Sequence, residues 1–164
     1  MKQKDLIHFI ANKLKEQKQD LGLAESCTGG YISHLITSIA GSSDYFKGGI
    51  VAYSNELKIK ILQVEEQTIN QHGAVSREVV EQMASNILQI GNVDYGVAVS
   101  GIAGPDGGSA EKPVGTVWIA VANKNKIDAR CFSFDGNRKQ VIRQAATEAL
   151  SMLFSNLQQN SEDV

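Results

Sequence analysis

Apolar residues recur along this chain with two different periods, and the alternation between those periods predicts its elements. Ile7, Ile10, Ala11 and Leu14 follow the i, i+3, i+4, i+7 spacing of an amphipathic helix, with Lys and Gln dominating the rest of its surface. A short apolar run, Leu21 to Glu25 (LGLAE), stops at Ser26-Cys27-Thr28-Gly29-Gly30, after which Ile32, Leu35, Ile36 and Ile39 restore the helical period. That reads as strand, turn, helix. A second run, Gly49 to Tyr53 (GIVAY), follows the loop Ala40-Gly41-Ser42-Ser43-Asp44 and leads into a short helix that Ser54 or Asn55 can cap. Ser76 is placed to cap another helix, which carries Val79, Val80, Met83, Ala84, Ile87 and Leu88.

Strand patterns return at Tyr95 to Ser100, Thr116 to Ala122 and Ala129 to Phe134, the last two close enough to form a hairpin across Asn123 to Ile127. The longest helix comes last, with Ile142, Ala145, Ala146, Ala149, Leu150, Leu153, Phe154 and Leu157 on one stripe and a polar tail from Gln158 to Val164 expected to fray. Helices alternating with strands early, then a hairpin late, predict a three-layer α/β/α sandwich with a mixed, mostly parallel sheet, the whole of 1–164 forming a single domain.

Composition narrows the classes of function. With 164 residues, 42% hydrophobic and 21% charged, the chain is expected to be one compact soluble domain. A chain of this length buries roughly 70% of its unfolded surface and needs no disulfide or structural metal. Cys27 and Cys131 are too few and too far apart for a disulfide framework or a CxxC metal site, which suits a reducing cytoplasm. A net charge of -2 lacks the basic excess of a nucleic-acid binder. The first 20 residues scatter charges among apolar positions, unlike a signal peptide or a membrane span.

Three segments carry candidate chemistry. Glu25 to Gly30 joins a strand to a helix, so its hydroxyls and N–H groups lie where partial positive charge favours an anion; the plainer alternative is that Ser26 or Thr28 only caps the helix. The stretch from Gly101 to Gly115 holds both prolines and five glycines (Gly101, Gly104, Gly107, Gly108, Gly115), more than one turn requires. It can form a phosphate-binding nest, although it lacks a P-loop ending and is not GxGxxG; a plain surface loop is the alternative. The third segment, Ser42 to Lys58, pairs serines with a lysine. A neutral amine can activate a serine, but only burial or neighbouring cations bring a lysine down from about 10.4, and a solvated helix lysine is the default. His8, His34 and His72 are dispersed and form no metal-binding spacing or triad, and Cys27 at a helix start is a minor alternative nucleophile.

Read together, AESCTGG (24–30), AGSSDYFKGGIVAYSNELK (40–58), HGAVS (72–76) and SGIAGPDGGSAEKPVGTVW (100–118) strongly resemble the CinA C-terminal-domain family, across about residues 5 to 155. The resemblance implies an amidohydrolase that converts nicotinamide mononucleotide to nicotinate mononucleotide and ammonia, in pyridine-nucleotide salvage toward NAD. It implies a Ser/Lys serine-hydrolase mechanism with no cofactor and no metal. Matching the motifs puts the nucleophile at Ser43 and the general base at Lys58, with Ser26 the second candidate hydroxyl. Thr28, Gly29, Gly30, Tyr53, Asn55, Ser100, Gly101 and Arg138 match substrate-contacting or orienting positions; position 100 is often Thr in the family and Ser keeps its hydroxyl. One geometric difficulty accompanies the Ser43 assignment. A fully extended strand over 49–53 separates its ends by roughly 17 Å, so the chain must fold back to bring Ser43 to Lys58. The family also suggests a homodimer, and its occurrence fused to a nucleotide pyrophosphatase-like domain keeps a non-catalytic nucleotide-binding module as the alternative. A DNA-uptake role rests on the family's historical name and is opposed by the charge.

Overall fold

The computed structural model describes residues 1–162, and its elements follow the two periods closely. In chain order they are α1 (Gln3–Gln17), β1 (Leu21–Glu25), α2 (Tyr31–Thr37), a 3-10 turn (Ser42–Asp44), β2 (Phe46–Val51), α3 (Asn55–Lys60), α4 (Glu66–His72), α5 (Arg77–Gly91), β3 (Tyr95–Gly101), β4 (Thr116–Ala122), β5 (Ile127–Ser133) and α6 (Arg138–Glu162). One five-stranded sheet has the order β2-β1-β3-β4-β5. β2, β1 and β3 pair in parallel; β4 is antiparallel to both β3 and β5, so four strands point one way and β4 the other. This is the expected mixed α/β sheet, with helices on both faces.

Alternation along the strands gives the two faces different side-chain sizes, and that difference sets the layers. Leu21 and Leu23 of β1, Val97 and Val99 of β3, and Val117, Ile119 and Val121 of β4 meet α1, α2 and α6 in one core. Apart from Trp118, the apolar residues that alternate with them are small: Ala24, Ala98, Ala120 and Ala122 face Val79, Val80, Met83, Ala84 and Ile87 of α5. Gly96 completes this small-residue face. A Cβ there would stand 2.4 Å from the carbonyl oxygen of Ala84 and 2.6 Å from Ile87 Cγ2. Glycine therefore lets α5 lie directly on the sheet.

Both predicted caps form: Ser54 Oγ accepts from the Leu57 N–H at 3.1 Å, and Ser76 Oγ accepts from the Val79 N–H at 3.3 Å. Four boundaries differ from the sequence pattern. β2 runs Phe46–Val51 rather than 49–53, because pairing with β1 extends back through Lys47, Gly48 and Gly49, which are exposed on the sheet edge and leave no apolar trace. β5 starts at Ile127, two residues early, because Asn123 Oδ1 accepts from the N–H groups of Asn125 and Lys126 and tightens the hairpin. The seven-residue α4 was not anticipated; it buries only Thr68 and Ile69, too little to establish a period. Finally, the helix α6 runs past Gln158. It continues to Glu162, with Lys126 Nζ donating to Gln159 at 2.5 Å and Asn160 donating to the Tyr95 hydroxyl. Asp163 and Val164 lie outside the described residues.

Candidate active site

The chain leaves β1 toward α2 on one face of the sheet and reaches β3 through α5 on the other, so the connections diverge between β1 and β3. At such a point the carboxyl ends of neighbouring strands open a crevice, the usual ligand position in an open α/β sheet. Ser26 is the first residue past β1 and lies at that crevice. Its N–H donates to the Val99 carbonyl at 3.0 Å, extending the β1–β3 pairing by one residue.

Glu25 fixes the turn that presents Ser26. Its side chain is buried and accepts four hydrogen bonds: from Thr28 Oγ1 at 2.7 Å, the Ile32 N–H at 2.9 Å, the Ser33 N–H at 3.0 Å and Ser33 Oγ at 2.7 Å. Donors from the turn and from the first turn of α2 thus satisfy both carboxyl oxygens of Glu25. The turn closes with Gly29 N–H donating to the Ser26 carbonyl, and Gly30 takes φ +95°, a conformation that favours glycine.

Lys58 reaches the same point from the other face. It stands on α3, just beyond β2, with 2% of its surface exposed. Its Nζ is 2.9 Å from Ser26 Oγ and donates to the Ala52 carbonyl at 3.0 Å. Ala52 is itself tied to the Ser26 turn, its N–H donating to the Glu25 carbonyl at 2.9 Å. No carboxylate pairs with Lys58 among the described residues, and burial lowers its pKa below the ordinary lysine range, outweighing an opposing effect from Cys27. The neighbouring thiol moves the other way: burial, as the largest effect, pushes Cys27 up to about 12. It therefore remains a thiol at neutral pH and is a poor nucleophile.

In front of Ser26 lies a cavity of about 220 Å³, bounded by Cys27, Tyr53, Arg138 and the loop from Gly101 to Gly107. Arg138, at the start of α6, donates through Nη1 to the Gly104 carbonyl at 2.7 Å and through Nη2 to the Tyr53 hydroxyl at 2.6 Å. Three strand ends and a helix start thus meet around one small volume. No three His, Cys, Asp or Glu side chains group closely enough to hold a metal among the described residues.

The structure gathers some of the sequence candidates and disperses others. Ser26, Tyr53, Gly101 and Arg138 line the cavity, and Lys58 lies behind Ser26. Ser43 does not join them. It is exposed in the 3-10 turn ahead of β2, whereas Lys58 follows the far end of that strand, which is roughly 17 Å long. The chain does fold back after Tyr53, but toward Ser26. Thr28 is buried against Glu25, Ser100 Oγ donates to the Ala74 carbonyl at 2.9 Å, and Asn55 is exposed at the start of α3; these three, with Gly29 and Gly30, do not line the cavity. The sequence reading assigned no role to Glu25 or Asp106. An acid ending an otherwise apolar strand was the available signal for Glu25, and Asp106 stands within the glycine-rich loop already singled out.

Comparison with known proteins agrees with this architecture. The chain is 48% identical over 153 residues to the nicotinamide-nucleotide amidohydrolase PncC of Escherichia coli K12, covering 93% of each chain. It is 46% identical to a CinA-like protein of Endomicrobium trichonymphae, matching 91% of this chain but 35% of that longer one. Among solved structures, a CinA-superfamily protein of Klebsiella pneumoniae superposes with a TM-score of 0.93 at 33% identity, over 97% of this chain and 99% of the other. An Agrobacterium tumefaciens competence/damage-inducible protein superposes with a TM-score of 0.91 at 38% identity, over 93% and 94% of the two chains. The CinA C-terminal domain profile itself matches residues 3–157, and with these likenesses the chain belongs to that family.

Proposed function

We propose that this chain hydrolyses the carboxamide of nicotinamide mononucleotide to nicotinate mononucleotide and ammonia, with Ser26 as nucleophile and Lys58 as general base, in salvage toward NAD. The observation that carries the reading is the buried amine of Lys58, 2.9 Å from Ser26 Oγ with no carboxylate partner. The PncC relative supplies the substrate class. Neutral Lys58 takes the proton of Ser26 as Oγ attacks the amide carbon. The resulting ammonium then gives that proton to the departing nitrogen, releasing ammonia and leaving an acyl ester on Ser26. Water, deprotonated by Lys58, hydrolyses the ester and restores both side chains. The N–H groups of Cys27 and Thr28, which donate to no backbone carbonyl among the described residues, are the donors we assign to the developing oxyanion. Arg138, with two donors committed to neutral oxygens, retains others for the 5′-phosphate.

The free thiols of Cys27 and Cys131 support a reducing cytoplasm. Val51, Leu57 and Ile61, exposed along the β2 edge and α3, support pairing with a second copy. Purified protein incubated with nicotinamide mononucleotide and EDTA is expected to release ammonia and nicotinate mononucleotide in equal amounts. Binding without release would instead make the chain a nucleotide-binding module.

A further inference from the structure

The cavity in front of Ser26 contains one acid, Asp106, and one base, Arg138, and neither has an ion-pair partner among the described residues. Arg138 uses its guanidinium on a carbonyl and a phenol, both neutral, so its charge is not offset. Asp106 is exposed at the tip of a loop whose base is anchored: Ile102 N–H donates to the Thr116 carbonyl at 2.9 Å, Gly115 N–H donates to the Ile102 carbonyl at 2.8 Å, and Arg138 holds Gly104. A small cavity with one uncompensated charge of each sign suits a ligand that carries both.

Resting on the proposed reaction, we infer that Asp106 selects the cationic form of the substrate ring. A nicotinamide attached to ribose through its ring nitrogen is a pyridinium with a permanent positive charge; the reduced dihydro ring has the same carboxamide, sugar and phosphate but no ring charge. With the amide carbon at Ser26 and the phosphate toward Arg138, the ring occupies the same cavity of about 220 Å³ that Asp106 lines. The carboxylate then favours the oxidised ligand over the reduced one by Coulomb attraction, partly screened because Asp106 is solvent-exposed. It also disfavours a ring bearing a second anion beside it. Asp106 is thus a specificity determinant that takes no part in proton transfer.

The test measures the affinities of oxidised and reduced nicotinamide mononucleotide by calorimetry in the full-length Ser26→Ala protein, with and without Asp106→Asn. The expected result is a preference for the oxidised form of about tenfold, equivalent to about 1.4 kcal/mol, that largely disappears on Asp106→Asn through weaker oxidised-ligand binding, while the reduced ligand binds as before. Asp106→Glu, which keeps the charge, retains the preference. Equal weakening of both ligands, an unchanged preference or no binding of either overturns the inference. Ammonia release by the wild-type protein is scored separately, so failure of the proposed reaction is distinguishable from failure of the selectivity.

Discussion

Lys58 is costly to bury as a cation, and the proposed base role draws on that cost. Its folded-state pKa lies below the ordinary 10.5, with burial the main cause. Between the lowered value and 10.5 the unfolded chain binds more protons than the folded one, so the contribution of Lys58 to stability rises with pH through that window. Below the window the full cost of the buried ammonium is present. Thermal unfolding of the wild type and Lys58→Met across this range is therefore expected to show the wild type gaining stability relative to the variant as pH increases. A difference independent of pH would show that Lys58 is not depressed. The proposed base role predicts that activity increases with pH over the same titration, as the amine becomes neutral.

At the scale of elements, the asymmetry between the two sheet faces does the positioning. Large residues on one face hold α1, α2 and α6, while Gly96 and the alanines bring α5 against the other. Gly96→Ala places a methyl against the backbone of α5, which has to shift. We expect a loss of about 1–3 kcal/mol in denaturant unfolding, with kcat nearly unchanged where the variant is folded, since Ser26 and Lys58 lie on other segments. Nearly all of these elements were legible in the sequence because each carries its own period or cap, as Ser54 and Ser76 demonstrate. What escaped was structure set by partners. The edge strand β2 is defined by pairing with β1, α4 buries only two side chains, and the end of α6 is held by Tyr95 and Lys126.

For the whole molecule, function depends on strand order, and strand order is what a single sequence conceals. The parallel arrangement β2-β1-β3 places the residues following three strands at one end of the sheet, so Ser26 and Lys58 meet across 32 positions of sequence. The same arrangement sends Ser43, closer to Lys58 along the chain, to the opposite end. The motifs identified both serines and the lysine, but only the strand directions decide which serine faces the amine. Burial of Lys58 was equally invisible, because a helix of six residues, Asn55–Lys60, is too short for its apolar spacing to show which face turns inward. Which serine attacks is decided by comparing ammonia release from nicotinamide mononucleotide by Ser26→Ala and Ser43→Ala. A loss of at least ~10³-fold in kcat is expected for Ser26→Ala, with wild-type turnover for Ser43→Ala. Loss of turnover in Ser43→Ala with activity retained in Ser26→Ala would contradict the Ser26 assignment.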